Sequence, residues 1–413
     1  MSKPLIRPVI FFVSKSLKQN TFSAFLSIMA VSVSVLLILL VNGIYTNSKS
    51  AFLLDQLNLN AVIGPKSSGT QLVMNAFYHM DTSPANISYK YYQILSKDKR
   101  VELAIPYALG DNYLGYRIVG TNASIFNLPV LKDGTLKLAT GVKFDENKLE
   151  AVFGSQVARN LKIKIGDQIN SFHGTVYKED YKHDQVFKVV GILQPTQTPL
   201  DQVVLIPLDG FYRTDGHVLR NNGEIIELKE NEAISDEHKE ISAVMLKINN
   251  PFYFNQMINR ESKDLTFAFL PTIVPEVLEK VGWGVKVLEY VSYLVIFIAG
   301  IVILVGIYNG LTQRIGEFAI LRALGASRTF VFFRIIGESG VLVLLGMFFG
   351  AILYIISFQL LKTYFYQMTG VYLTFSEIPK LYYWLPCILL GVGFFAGLIP
   401  ALKIYRTDVN KIL

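Results

Sequence analysis

The side chains with the greatest capacity for chemistry are five histidines, all placed between residues 79 and 238. Histidine is a common zinc ligand, so their grouping in one part of the chain raises the question of a metal site. No two of them stand at a short spacing such as H-x-x-x-H, which would place both imidazoles on one helix face. The sequence alone therefore predicts no metal ligand among His79, His173, His183, His217 and His238.

Motifs of the common enzyme classes are missing from the chain. There is no G-x-x-x-x-G-K-[ST] phosphate loop, no H-E-x-x-H, no C-x-x-C and no G-x-S-x-G. The single cysteine, Cys387, excludes an intramolecular disulfide. These observations predict a chain that is not an enzyme, has no catalytic residue and binds no cofactor of its own.

One polar cluster, near residue 80, stands out beside aromatic residues. It runs Asn75-Ala-Phe-Tyr-His-Met-Asp-Thr-Ser-Pro-Ala-Asn-Ile-Ser. Its plainest interpretation is a loop ordered by side-chain-to-backbone Asx turns. The functional alternative is contact with a substrate or a partner protein outside the cytoplasm, for which the candidates are His79, Asp81 and Asn86.

The rest of the chain, which must position these residues, includes membrane helices. The chain is 51% hydrophobic and only 17% charged, with a mean hydropathy of +0.38. A spanning helix needs about 20 apolar residues to cross roughly 30 Å of hydrocarbon. Four uncharged stretches are long enough: residues 19–48, 290–313, 339–361 and 381–402.

The net charge of +7 supports a membrane protein and not a nucleic-acid-binding one. Residues 1–48 have four basic residues and no acid, and residues 287–413 have nine basic and five acidic residues. The 26 basic and 27 acidic residues between them nearly cancel. Because Lys and Arg favour the cytoplasmic side, both termini and the loop after the second span are predicted to be cytoplasmic.

The predicted fold is therefore a bundle of four transmembrane helices with a large α+β extracytoplasmic domain inserted between helices 1 and 2. Strand-like runs fall at 114–120, 151–154, 186–193 and 203–208, and helical patterns at 155–161, 235–240 and 253–268. The flanks of the insert, 55–135 and 240–275, are predicted to pair with each other across a β-rich middle. The predicted segments are a cytoplasmic amphipathic helix at 1–20, spans at 21–48, 287–313, 335–361 and 381–402, the inserted domain with its stalk at 49–286, a cytoplasmic loop at 314–334, an outer loop at 362–380 and a tail at 403–413.

Two patterns concern the helices themselves. Val277, Leu278, Val281, Val285 and Leu288 form one apolar face, which predicts a stalk helix continuing into the second span. The pairs at 306/310, 346/350 and 393/397 follow the Gly-x-x-x-Gly pattern, which lets helices approach closely in lipid. Packing inside one bundle is the commoner use of such pairs, and a dimer face is the alternative.

The cytoplasmic loop has the pattern of a short amphipathic helix that ends at a glycine. Ser327 is placed to cap the next helix. The plain interpretation is a tight hairpin with positive charges on the inner face. The functional one is a helix that docks into a partner and couples to it through Arg314, Glu317, Ile320, Leu321, Arg322 and Gly325.

This loop resembles the signature of FtsX-like ABC permeases, approximately R-x-x-E-[IF]-[AG]-[IL]-L-[KR]-[AT]-[LI]-G-A-[ST]. Here it reads Gln313-Arg-Ile-Gly-Glu-Phe-Ala-Ile-Leu-Arg-Ala-Leu-Gly-Ala-Ser. The tail from Gly397 is similar to the family's ending, and Ala151-Val-Phe-Gly-Ser-Gln-Val-Ala and Phe187-Lys-Val-Val-Gly-Ile-Leu resemble the core domain of MacB-type exporters. The chain has no fused ATPase, which is the layout of LolC- and LolE-like subunits.

The resemblance implies a permease subunit of the bacterial inner membrane, with a periplasmic core domain and N- and C-termini in the cytoplasm. It implies two copies of an ABC ATPase partner that binds ATP and Mg²⁺, and a second permease copy or a paralogue. A periplasmic adaptor protein and contact with membrane lipid are further expected partners. The implied function is mechanotransmission: ATP hydrolysis by the partner moves the periplasmic domain and drives efflux or extraction of an amphipathic substrate.

Two alternatives keep the same architecture. One is lipoprotein release towards the outer membrane by a LolC/LolE-like subunit. The other is a non-transporting signal relay to periplasmic partners such as peptidoglycan hydrolases. The sequence leaves the substrate open, as well as the choice between homodimer and heterodimer.

Overall fold

The computed structural model describes residues 13, 15–16, 18–19, 21–52, 59–129, 134–174, 177–214, 219–221, 224–226, 234–313, 316, 320, 325–369 and 381–406. The chain forms two compact units. One comprises Met1–Ser48, Val281–Lys362 and Thr374–Leu413, and the other Lys49–Lys280 with Thr363–Leu373. Parts of the predicted N-terminal helix (1–20), outer loop (362–380) and tail (403–413) lie outside the described residues.

Strands and short helices lie between the first long helix and the last three. In chain order they are α1 Thr21–Phe52, β1 Ala61–Pro65, α2 Gly69–Ala76, β2 Ile87–Ser88, α3 Lys90–Ser96, β3 Val101–Tyr113, β4 Tyr116–Thr121, β5 Leu138–Gly141, β6 Glu150–Phe153, α4 Ser155–Leu161, β7 Gln168–His173, β8 Lys182–Leu193, β9 Val203–Pro207, α5 Leu208–Tyr212, β10 Leu219–Asn221, β11 Glu224–Ile226, β12 Glu240–Ile241, β13 Ala243–Ile248, α6 Pro251–Glu261, β14 Leu265–Phe269, α7 Leu270–Gln313, α8 Arg328–Thr369 and α9 Leu381–Arg406. Short 3-10 turns include Ala123–Asn127, Glu179–Tyr181, Pro199–Gln202 and Asp236–His238.

Four helices of the described chain are long and apolar enough to cross a membrane. Their candidate spans are Thr21–Asn47, Leu270–Asn309, Arg328–Tyr366 and Tyr382–Leu402. The predicted fold class, four such helices with a large domain between the first and second, is confirmed. The predicted stalk and second span form one continuous helix, α7, of 44 residues.

Glycines set the packing distances inside the helical unit. A Cβ added at Gly346 would lie 2.5 Å from the Cβ of Val31, and one at Gly393 would lie 2.5 Å from Cγ2 of Val343. Hydroxyls reinforce these approaches, because Ser32 Oγ donates to the Gly346 carbonyl oxygen at 3.1 Å. These glycines thus serve packing within one chain, the commoner of the two roles predicted for the Gly-x-x-x-Gly pairs.

The other unit is built on a ten-stranded sheet in the order β14-β1-β13-β3-β4-β9-β6-β8-β5, with β7 paired to both β3 and β8. Because β7 makes both pairings, β3, β4, β9, β6, β8 and β7 form a closed ring of six strands. The sheet separates two hydrophobic cores. Successive residues of β1 alternate between them, with Val62 in one core and Ile63 in the other.

The predicted pairing between the flanks of the insert is confirmed: β1 pairs with β13 and β14, and β3 pairs with β13. The predicted helix at 235–240 is wrong, since a 3-10 turn leads there into β12, which pairs with β2. The predicted helix at 253–268 is right only to Glu261. Beyond it, Leu265-Thr-Phe-Ala-Phe pairs with β1 as a strand, as its β-branched and aromatic residues favour.

Gly346→Ala should destabilise the helical unit, because the new methyl group overlaps Val31 and the helices must separate. We expect a loss of about 1–3 kcal/mol, seen as a lower unfolding temperature of the full chain in detergent. Gly340→Ala is the matched control on the same helix, since nothing lies within 4 Å of its added Cβ. Equal unfolding temperatures for the two variants would contradict the proposed packing.

Candidate functional site

The end of α2 positions His79. Ser68 caps the start of this helix, where its Oγ accepts from the Gln71 backbone N–H at 3.1 Å. At the other end the Met80 N–H donates to the Met74 carbonyl oxygen at 2.9 Å, and His79 between them has a φ of +57°. A left-handed residue here turns the chain away from the helix. Non-glycine residues are uncommon in that conformation, and histidine is one of those that adopt it more often.

The hairpin of β3 and β4 lies on the other side of the site. Its two-residue turn, Leu114-Gly115, has φ values of +49° and +89°, the left-handed pair that a tight hairpin of type I′ requires. Asn112 Oδ1 accepts from the Gly115 N–H at 3.0 Å and braces the turn. The hairpin places Arg117 opposite Asn112 in register.

A cavity of about 260 Å³ lies between these two elements. It is lined by His79, Met80, Asp81, Thr82, Gly115 and Arg117. Two of the three predicted candidates, His79 and Asp81, therefore meet at one place. The third, Asn86, does not line the cavity; its Oδ1 accepts from Ser242 Oγ at 2.9 Å.

Arg117 is the cavity-lining residue that the sequence does not predict. Its guanidinium is largely buried and donates through Nη2 to Asn75 Oδ1 at 3.2 Å and to the Asp81 carbonyl oxygen. Burial lowers the pKa of Arg117, and the carboxylates of Asp81 and Asp111 oppose that shift. The signal in the sequence is a lone basic residue inside the strand-like run 114–120.

His79 is neutral in this setting. Its imidazole stacks on the ring of Tyr107 with the centroids 6.0 Å apart, and its Nδ1 has no hydrogen-bond partner among the described residues. Burial, and then the positive charge of Arg117, lower the pKa of His79 to about 3. Thr82 N–H donates to Asp81 Oδ1 at 2.7 Å. This contact joins adjacent residues, so it is not the Asx turn that the sequence predicts for this loop, which would reach two residues on.

The cavity therefore offers a fixed cation, a neutral imidazole and a loop carboxylate. A buried guanidinium suits recognition of carboxylate or phosphate oxygens. A neutral imidazole whose pKa lies far from neutral pH is poorly suited to general acid–base catalysis. The arrangement suits binding of an anionic group better than catalysis.

Comparison with known proteins decides the family. The family model of the MacB-like periplasmic core domain matches residues 24–244, and that of the FtsX-like permease C-terminal region matches residues 290–409. The chain belongs to the MacB-type FtsX-like permeases. Such proteins are the permease components of ABC transporters, and this permease is a multi-pass membrane protein.

Solved structures and curated proteins were also compared. The chain is similar to the crystal structure of the periplasmic region of MacB from Actinobacillus actinomycetemcomitans, at 12% identity and a TM-score of 0.34, over 55% of this chain and 97% of that one. It is similar to the extracellular domain of the noncanonic ABC-type transporter YknZ from Gram-positive bacteria, at 15% identity and a TM-score of 0.29, over 51% and 99%. No curated protein matches the chain.

Of the predicted coupling residues of this permease, Arg314, Glu317, Leu321 and Arg322 lie outside the described residues. Ile320 is helical and 55% exposed. Gly325 has a φ of +97°, which suits the end of a helix. Ser327 Oγ accepts from the Phe330 N–H at 3.1 Å, so the predicted cap of the next helix is present.

His79 should make the permease less stable in mild acid. Its pKa in the folded chain is about 3 and its ordinary value is 6.5, so the unfolded chain binds the extra proton as the pH falls below 6.5. Between pH 7 and 5 this costs about 1–2 kcal/mol. His79→Gln should flatten the fall in unfolding temperature over that range, whereas His238→Gln, outside the cavity, should keep it. An unchanged pH profile for His79→Gln would contradict the buried neutral imidazole.

Proposed function

We propose that this permease transmits motion from a separate cytoplasmic ATPase to its own extracytoplasmic domain. In this proposal two ATPase subunits, each binding ATP and Mg²⁺, sit beneath two permeases in the bacterial inner membrane. The domain then drives efflux or extraction of an amphipathic substrate. Family membership supports an ABC ATPase as partner in general.

The observation that carries the proposal is the single long helix α7. It begins directly after β14, the edge strand of the large sheet, and runs 44 residues to Gln313, where the predicted coupling loop starts. At 1.5 Å per residue it is about 66 Å long. Pro275 lies in the second turn, and no other proline interrupts the helix from there to Gln313. A long helix of this kind is a stiff element, so in this proposal a displacement at its cytoplasmic end is passed towards β14.

The composition of the spans supports transmission of motion and not conduction of ions or hydrophilic substrates through the helices. The four uncharged stretches hold 22 to 30 residues each without Asp, Glu, Lys, Arg or His. Ion and proton pathways place such groups near the middle of the membrane. A hydrophilic substrate therefore has no route of its own through the bundle of one chain, and an amphipathic one can be taken from the lipid.

The positions of the basic residues support the orientation. The segments before the first span, between the second and third, and after the fourth are all basic, and positive loops stay in the cytoplasm. The domain with the His79 cavity would then lie in the periplasm. There it is available to substrate or to an adaptor protein.

Glu317→Lys should weaken binding of the ATPase, because it reverses a charge in the loop that resembles the family's coupling signature. We expect recovery of the ATPase with the detergent-solubilised permease to fall at least about tenfold, as measured by quantitative mass spectrometry. Glu237→Lys makes the same charge change in the large domain and should leave recovery unchanged. Absence of any ABC ATPase from the wild-type complex would overturn the proposal.

Val287→Pro should uncouple the domain while the ATPase stays bound. A proline inside a helix removes a hydrogen bond and kinks the rod at a cost of about 3 kcal/mol. Val287 is largely exposed, so Val287→Ala is a mild control. Fluorescent labels at Asp180→Cys in a Cys387→Ser chain would report the distance between two permease copies. The nucleotide-dependent change in that distance should vanish only in the proline variant, and its persistence there would contradict a rod mechanism.

A further inference from the structure

Three side chains that are distant in sequence converge at one seam of the large sheet. Asp111 lies on β3, His173 at the end of β7 and His183 near the start of β8. Asp111 and His173 are directly paired in register, and the hairpin of β7 and β8 brings His183 alongside. One ligand-capable atom from each of the three lies within 4.8 Å of the other two.

The distances between these atoms are close to those between ligands of one metal ion, with a different oxygen of Asp111 facing each histidine. His173 Nδ1 lies 3.4 Å from Asp111 Oδ1, and His183 Nε2 lies 3.5 Å from Asp111 Oδ2. Good N–H···O hydrogen bonds are shorter, at about 2.7–3.2 Å. Two ligand atoms of a tetrahedral zinc ion, each about 2.0–2.1 Å from the metal, are separated by about 3.4 Å.

The backbone around both histidines is held in place. Asn112 Nδ2 donates to the carbonyl oxygens of Phe172 at 3.2 Å and Gly174 at 3.0 Å, on either side of His173. Asn170 Nδ2 donates to the carbonyl oxygen of His183 at 3.0 Å. Two asparagine side chains thus fix the histidine segments, which lowers the cost of ordering ligands when an ion binds.

Burial gives the cluster a dry interior and one open side. The side chain of Asp111 is 0% exposed and that of His183 only 7%, while that of His173 is 56% exposed. An ion can therefore enter past His173, and water can occupy a fourth coordination position.

We propose that Asp111, His173 and His183 bind one Zn²⁺ ion, with a water molecule as the fourth ligand. Two imidazole nitrogens and one carboxylate oxygen suit zinc and neighbouring transition metals, whereas Ca²⁺ and Mg²⁺ prefer oxygen ligands throughout. The sequence predicts no metal site because these three residues are far apart along the chain and share no helix face. Here three strands provide the ligands.

The ion fastens one of the two shortest contacts of the strand ring. The ring of β3, β4, β9, β6, β8 and β7 closes through the contact of β3 with β7, which has only two residue pairs in register, as has the contact of β6 with β9. One of the pairs between β3 and β7 is Asp111 with His173, the two proposed ligands. A chain whose single cysteine excludes an internal disulfide thus gains a cross-link between β3, β7 and β8 from the metal.

The test uses the full chain in detergent, treated with a chelator, dialysed and titrated with Zn²⁺ or Co²⁺. We expect one equivalent of Zn²⁺ with a Kd below about 1 µM, and a tetrahedral visible absorption spectrum with Co²⁺. His173→Gln and Asp111→Asn should each weaken binding at least about 100-fold. His238→Gln is the matched control and should bind as the wild type does.

Folding is checked separately, since Asp111 and His183 are buried. His173→Gln changes an exposed side chain, so it should stay folded, and its unfolding temperature should no longer rise on addition of Zn²⁺. Wild-type chain that binds no Zn²⁺ at 10 µM, or a His173→Gln variant that binds it as tightly as the wild type, would overturn the proposal. Octahedral Co²⁺ absorption would overturn the four-coordinate geometry.

Discussion

The structure depends on the pairing of β1 with β14. β1 is the first strand after α1 and β14 is the last strand before α7, and the two run antiparallel with Ala61 opposite Phe269. Asn60 reinforces the junction: its side chain exchanges hydrogen bonds with the backbone of Ile248, and its carbonyl oxygen accepts from the Leu270 N–H at 2.9 Å. This pairing brings the first and last strands of the insert together.

The sequence predicts those parts of the fold that local residue patterns determine. The membrane spans can be predicted because a helix needs about 20 apolar residues to cross the hydrocarbon core, and such long apolar runs are easily recognised. The buried strands β6 and β9 are visible as short apolar runs bounded by turn residues. The prediction of a helix at 235–240 is wrong because its polar residues fit a turn as well as a helix. Only the partner strand β2, more than 140 residues away, decides the outcome.

In the candidate site, too, some contacts can be predicted from the sequence and others follow only from strand pairing. His79 and Asp81 stand two residues apart, so their meeting at one cavity follows from the sequence once a helix ends beside them. Arg117 reaches the same cavity through the register of a hairpin, which spacing along the chain does not reveal. Asn86 is only a few residues beyond Asp81 in the sequence. Its side chain nevertheless bonds to Ser242, the residue before β13, and does not reach the cavity. His173 and His183 likewise meet only because β7 and β8 form a hairpin.

A domain that is moved by a helix must be stiff if the motion is to reach its far side. In the proposed mechanism, displacement of α7 would act first on β14 and then, through continuous strand pairing, on β1, β13 and β3. At β3 the sheet divides, because one route continues through β4 and the other crosses the short seam to β7. With two residue pairs that seam would yield before the longer pairings do. A bound ion that joins Asp111 to both histidines would strengthen the second route, so that the ring of six strands moves as one body.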